Sequence, residues 1–205
     1  MVALKTVPHS VEKAVKPLQK VPNSLVWEIL DGQVLYRRGY KDVMKKLKTI
    51  EEIMGTSSYQ SLINSYFLGI LFSQLDLQKY DILTNEIGVH FKKNDNTSND
   101  IAIYNRLSAS QISRKYTDYP AKVVIEIDID IDPDSMSDFD YLNKKTQKML
   151  DFGVEKVIWV LTNSKQVIVA TPDTSWQTLD WSVEIELFDG LTFNIQAYLI
   201  ERGIL

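Results

Sequence analysis

The chain of 205 residues predicts an α/β fold, a sheet with helices packed against it. Three observations carry this. From Ser58 the apolar positions Tyr59, Leu62, Ile63, Tyr66, Phe67, Ile70, Leu71 and Leu75 follow the i, i+3, i+4, i+7 rule, which predicts a long core-facing helix. The run Val123-Val124-Ile125-Glu126-Ile127-Asp128-Ile129-Asp130-Ile131-Asp132 starts as a continuous apolar strand and then alternates strictly. A helix from Ser137 to Phe152 then separates that strand from a second apolar run, Lys156-Val157-Ile158-Trp159-Val160-Leu161.

In chain order, residues 1–22 carry Pro8, Pro17 and Pro22 and little periodicity, and read as an N-terminal arm with one short helix after Ser10. Residues 23–205 read as one domain, the usual outcome at this length. Leu25–Leu30 and Gln33–Tyr36 flank Asp31-Gly32, a strong hairpin signal. Tyr40 to Met54 reads as a basic helix. Strands are expected at Asp81–Leu83, Ile87–Phe91 and Asp100–Tyr104, with the polar residues from Lys92 to Asn99 as a turn. Pro133 ends the acidic strand. Ser137, with Asp140 three residues on, caps the next helix, and Gly153 sits at its C-terminal cap. Lys156–Leu161 and Gln166–Ala170 are strands joined by Asn163-Ser164-Lys165; Val183–Phe188 is a further strand, and Ile195–Glu201 a terminal helix.

Composition removes several classes of function. With no cysteine there is no disulfide, thiolate zinc site or cysteine nucleophile, and with only His9 and His90 there is no three-imidazole zinc site. The longest apolar run, Phe67 to Phe72, is far short of the roughly 20 residues that cross a bilayer, and no signal-peptide core opens the chain. A cytoplasmic protein without membrane contact is expected. What remains for chemistry is carboxylates, lysines and hydroxyls.

The net charge of −4 is unevenly spread. From Val123 to Asn143 there are seven carboxylates and no Lys or Arg, which leaves 20 acidic against 23 basic residues in the rest of the chain. In a strand, Glu126, Asp128, Asp130 and Asp132 would share one face about 7 Å apart, each neighbouring pair repelling by roughly 2 kcal/mol at an effective dielectric near 20. Two readings fit this face. One is an exposed edge strand kept soluble by charge; the other is a site for a hard metal ion with oxygen ligands.

A second pattern bears on the choice. Asp100 opens an apolar strand, Glu126 lies in the middle of the next, and a helix with Lys144, Lys145 and Lys148 follows. Two carboxylates to hold a divalent ion and an ammonium to meet charge on phosphorus oxygens form the order of a metal-dependent phosphodiesterase site. Here the sequence resembles the Uma-two family of restriction-endonuclease-like proteins, within the PD-(D/E)XK nuclease superfamily, over nearly the whole chain from Leu25. The residues that carry the resemblance are Trp27-Glu28-Ile29-Leu30-Asp31-Gly32; Gly55-Thr56-Ser57-Ser58-Tyr59-Gln60; Asn99-Asp100-Ile101-Ala102-Ile103; Val124-Ile125-Glu126-Ile127; and Lys145 through Gly153-Val154 into Val157-Ile158-Trp159-Val160.

The resemblance implies a restriction-endonuclease-like core, a central mixed sheet flanked by helices, with an N-terminal hairpin. It makes residues 23–205 a nuclease domain in which Asp100 and Glu126 hold Mg²⁺ or Mn²⁺ and Asp128 assists. Asn99 stands where the motif has Pro, and Asp128 where it has Lys. The lysine is therefore expected on the helix, as Lys145, with Lys144 and Lys148 as rivals. Lys145 shares a face with Tyr141, Leu142, Met149 and Phe152, which directs its stem inward and its ammonium toward Glu126; Lys148 is expected on a more exposed face. DNA is the expected substrate, with Arg37, Arg38, Lys41, Lys92 and Lys93 as phosphate contacts, and a homodimer is implied. The competing expectation is a catalytically degenerate module of the same fold that binds metal or nucleic acid, or an oligomeric interaction protein.

Overall fold

The computed structural model describes residues 20–205. Most of the expected arm, with its helix after Ser10 and His9, lies outside the described residues. The fold opens on the hairpin of β1 (Val26–Leu30) and β2 (Gln33–Tyr36), and its turn uses positive φ at Asp31 and Gly32. The helix α1 (Tyr40–Met44) is short. The basic helix expected to Met54 is broken where Lys46 takes φ +60, and a 3₁₀ turn at Glu51–Ile53 follows. The reason is an absent inward stripe, since no residue of α1 is buried. The helix α2 (Ser58–Gln74) is capped by Ser57, whose side chain accepts from the Gln60 amide, and it buries Ile63, Phe67 and Leu71.

The next two strands form one long hairpin, β3 (Tyr80–Lys92) and β4 (Asp95–Asn105). Sequence placed a polar turn from Lys92 to Asn99, but only Lys93-Asn94 turn. Asp95, Thr97 and Asn99 point inward from a strand, because α3 supplies polar partners for Asp95 on that face. A register shift between Thr84 and Ile87 bulges β3, with positive φ at both Asn85 and Glu86.

β5 (Val123–Ile127) is fully buried. The ten-residue acidic strand expected from Val123 to Asp132 is therefore corrected to five. Asp128 takes φ +61 and turns the chain out of the sheet after its amide donates to Val160 O at 2.9 Å. Continuing the strand into the sheet interior would have buried a row of carboxylates on one face. Beyond the turn the acidic residues find separate partners: Asp130 and Asp138 face Arg38, while the buried Asp132 and the exposed Asp134 face Lys41.

The helix α3 (Asp138–Phe152) is capped by Ser137, which accepts from the Asp140 amide, and ends at Gly153 with φ +111. It crosses from β5 to β6 (Lys156–Leu161), the parallel pair of the sheet. β7 (Gln166–Ala170) and β8 (Gln177–Asp180) extend the edge, and β9 (Ile185–Phe188) and β10 (Leu191–Phe193) make a separate hairpin before α4 (Ile195–Glu201). β8 and β10 were not expected from the sequence. The eight-stranded sheet runs β2-β1-β4-β5-β6-β7-β8, with β3 on β4. One face packs Ile101, Ile125 and Ile158 against α2 and α4; the other packs Val124, Val157 and Trp159 against Tyr141 and Met149 of α3. No helix among the described residues is long and apolar enough to cross a membrane.

Candidate active site

The long strand β4 carries β1 near Asn96 and β5 at Ile101–Ile103, so residues of three strands and α3 meet in the middle of the sheet. Glu126 sits in β5 beside Trp159 of β6 and is 5% exposed. Asp100 sits in β4, and its Oδ2 accepts from the Ile127 amide at 2.7 Å. Lys145, on the inward face of α3, is 1% exposed and sends its ammonium to Glu126 Oε1 at 3.1 Å. The structure thus brings Asp100, Glu126 and Lys145 together.

A fourth group was not singled out by sequence reasoning. Glu28 of β1, 3% exposed, accepts at Oε1 from Lys145 Nζ (3.0 Å) and from the Ser98 amide (2.8 Å), and at Oε2 from the Tyr141 hydroxyl (2.6 Å). Lys145 Nζ also donates to Ser98 O at 2.6 Å. Two hydrogen bonds and the ion pair to Glu126 therefore surround one ammonium, and the rings of Tyr141 and Trp159 lie 5.5 and 5.7 Å away. Asn99, with its amide nitrogen facing Glu126 as the acceptors around it require, donates to Glu126 Oε1 at 2.9 Å. The residue in the place of the motif's Pro is thus a hydrogen-bond donor to the neighbouring acid.

Two carboxyl groups pair with one lysine and a third, Asp100, lies nearby, and the electrostatics follow. Burial raises the Glu126 carboxyl well above its usual range; Lys145 opposes this, while Asp100 and Glu28 add to it. Asp100 is raised for the same first reason, against the Ile127 amide and Lys145. Burial alone would push the Lys145 ammonium down, but Glu126 and Glu28 prevail and hold it charged. Burial, and then Glu28, push the Tyr141 hydroxyl well up.

Asp100 and Glu126 line a cleft of about 230 Å³ whose rim includes Trp27, Glu86, the Gly55-Thr56-Ser57 start of α2 and the loop after β5. Gln60 reaches across it from α2 to donate to Ile127 O at 2.7 Å. Asp128 also borders the cleft, but both its oxygens are engaged by Thr162, Oδ1 by the amide (2.7 Å) and Oδ2 by the hydroxyl (2.6 Å). Lys148 is not on an exposed face. It is half-buried between Asp31 (2.5 Å) and Asp95 (2.6 Å), away from Glu126, because the polar inward face of β4 reaches under α3 there. Of the expected phosphate contacts, Arg38 and Lys41 are tied to the acidic loop, and Lys92 lies 3.8 Å from Asp95. Lys93 occupies the β3–β4 turn. Arg37 stacks over Trp27 at 4.6 Å, next to the cleft.

A mixed sheet with α3 bridging its parallel strands, α2 on the opposite face and acidic residues at the central strands defines a three-layered α/β fold. Among solved structures, the chain is similar to a protein from Anabaena variabilis ATCC 29413 described as "a putative nuclease belonging to DUF820", with a TM-score of 0.59 over 82% of this chain and 86% of that one, at 16% identity. No protein-family model and no curated protein matches the chain. The two proteins share a fold.

Proposed function

We propose that this chain is a metal-dependent endonuclease of the Uma-two type that hydrolyses phosphodiester bonds in DNA. The observation that carries the reading is the meeting of Asp100 and Glu126 at one cleft, with Lys145 charged behind Glu126. The Anabaena protein's description as a nuclease agrees with it.

The donor set suits Mg²⁺ or Mn²⁺. No group of three or more His, Asp or Glu side chains able to hold an ion occurs among the described residues. Mg²⁺ uses one or two carboxylates and keeps several waters, so Asp100 and Glu126 suffice for it where a cage of protein ligands is lacking. When bound, such an ion supplies a Lewis acid for the phosphate and an activated water. The residues of the chain do the remaining work. Asp100 is oriented by the Ile127 amide, and Glu126 is held between Lys145 and Asn99. Lys145 brings fixed positive charge to a water-poor site, where it opposes charge developing on phosphate oxygens. Glu28 fixes Lys145 in turn.

One feature favours a second reading, a module that binds without cutting. Lys145 is already held by hydrogen bonds to Glu28 and Ser98 and by an ion pair to Glu126, and the position expected to carry lysine is Asp128, turned to Thr162. One experiment separates the two. Supercoiled plasmid should be nicked or linearised only with Mg²⁺ or Mn²⁺, and Glu126→Gln should stop this with an unchanged circular dichroism spectrum. Metal binding by calorimetry that Asp100→Ala and Glu126→Ala each abolish, without cleavage of any substrate by the wild type, selects the binding module.

A further inference from the structure

Beside the cleft lies a second hollow of about 300 Å³; Trp27, Glu86 and Ser98 line both. The volume is at the small end for small-molecule sites. Its lining is aromatic and polar, with Arg37, Glu28 and Glu86 as its charged groups. The Arg37 guanidinium lies over the Trp27 ring, and no carboxylate is within ion-pair distance of Arg37 among the described residues, whereas the neighbouring Arg38 has two. Tyr116 adds a second ring, 59% exposed.

Tyr116 is fixed despite its exposure. The Thr117 amide donates to Gly88 O at 2.9 Å and Thr117 O accepts from the His90 amide at 2.8 Å, so this segment is pinned alongside β3. The ring lies directly on Gly88, where a Cβ would stand 2.4 Å from a ring carbon. An exposed aromatic side chain is thereby held by backbone bonds and by the absence of a side chain beneath it. Two polar atoms of residues behind the wall, Arg37 Nε and Thr97 Oγ1, are buried without a hydrogen-bond partner among the described residues.

We infer that this hollow receives one unpaired nucleobase next to the phosphate held in the cleft, so that the substrate is a nucleic acid with a single-stranded nucleotide at the point of cleavage. The inference rests on the endonuclease reading for the position of that phosphate. Aromatic rings and guanidinium planes are the groups on which unstacked bases settle, and the carboxylate of Glu86 offers a hydrogen-bond acceptor to one. A base within a continuous duplex stays stacked on its neighbours and reaches such a hollow only by leaving the helix.

The test measures binding of the full chain, without added metal, to a fluorescein-labelled single strand of about 12 nucleotides, within the span of one single-strand site, and to the blunt duplex of the same sequence. The wild type should prefer the single strand. Tyr116→Ala should weaken single-strand binding about tenfold or more, the effect of losing one stacking ring, and leave duplex binding unchanged. Tyr116→Phe should restore it, and Gly88→Ala, which pushes the ring aside, should match Tyr116→Ala. No detectable single-strand binding by the wild type, or equal effects of Tyr116→Ala on both ligands, overturns the hollow. Cleavage is scored separately. Metal-dependent cutting with unaltered strand binding in Tyr116→Ala removes the hollow and keeps the endonuclease, whereas Tyr116-dependent binding by a wild type that cuts nothing does the reverse.

Discussion

Lys145→Ala is the perturbation with the largest consequences. The side chain is 1% exposed and makes ion pairs of 3.0 Å to Glu28 and 3.1 Å to Glu126, with a 2.6 Å bond to Ser98 O. Removing one partner of a buried ion pair costs about 3–5 kcal/mol, because the other charge stays buried and uncompensated. Here two carboxyl groups, Glu28 and Glu126, lose the same cation. At roughly 2–4 °C per kcal/mol for a chain of this size, the melting temperature should fall by about 6–20 °C. Cleavage, measured on plasmid well below the variant's melting temperature, should fall about 100-fold, comparable to losing one well-placed donor to a developing oxyanion. The stability and activity effects can be dissociated. A triple variant, Lys145→Met with Glu28→Gln and Glu126→Gln, removes the charges together and should recover much of the stability while remaining inactive. A melting temperature within two or so degrees of wild type for Lys145→Ala, about 0.5–1 kcal/mol on the same scale, would refute the buried-charge reasoning, and unchanged cleavage would refute the lysine's part in the reaction.

Lys148→Ala should cost about 1–3 kcal/mol, since Asp95, 0% exposed, loses its closest cation, while cleavage stays at the wild-type rate in the plasmid assay. Asp128→Ala should destabilise by a similar amount through loss of both bonds to Thr162, and Asp128→Gly less so because it relieves the positive φ; urea titration of the two variants checks the order. Because burial raises Glu126 in the folded protein, the native state holds a proton that the unfolded state has released at pH values between the ordinary carboxylate range and the raised one. Stability should therefore decline as pH rises through that window, and Glu126→Gln should flatten the decline in melts from pH 5 upward.

What was legible in the sequence follows from how local each signal is. The apolar period of α2, the Ser137 and Gly153 caps of α3 and the inward stem of Lys145 depend on neighbours within two turns, and the structure has them where expected. The acidic strand misled because strict alternation from Val123 to Asp132 is what a strand requires, and nothing within that window says that the sheet has no room for a charged row. Its outcome depended on Thr162, Arg38 and Lys41, which are distant in sequence. The segment Asp95–Asn99 misled in the opposite direction. Its polar residues resemble a turn when their partner, Lys148, is about fifty positions away.

Glu28 was the principal omission, although a signal for it existed. In Val26-Trp27-Glu28-Ile29-Leu30 the carboxylate shares strand parity with Leu30, which is 1% exposed, so an alternating reading already sets an acid on the buried face. An isolated buried carboxylate is too costly to persist unpaired. The inward lysine of α3 poses the complementary problem, since one Glu cannot occupy three ammonium protons. The structure meets those two deficits with one pairing, Glu28 with Lys145, across 117 positions. The same reasoning gives Glu28 its role. A carboxylate that binds Lys145, the Ser98 amide and the Tyr141 hydroxyl together fixes β1, β4 and α3 around Glu126, so the geometry of the cleft depends on a residue that faces away from solvent and has no counterpart in the Asp, Glu, Lys order.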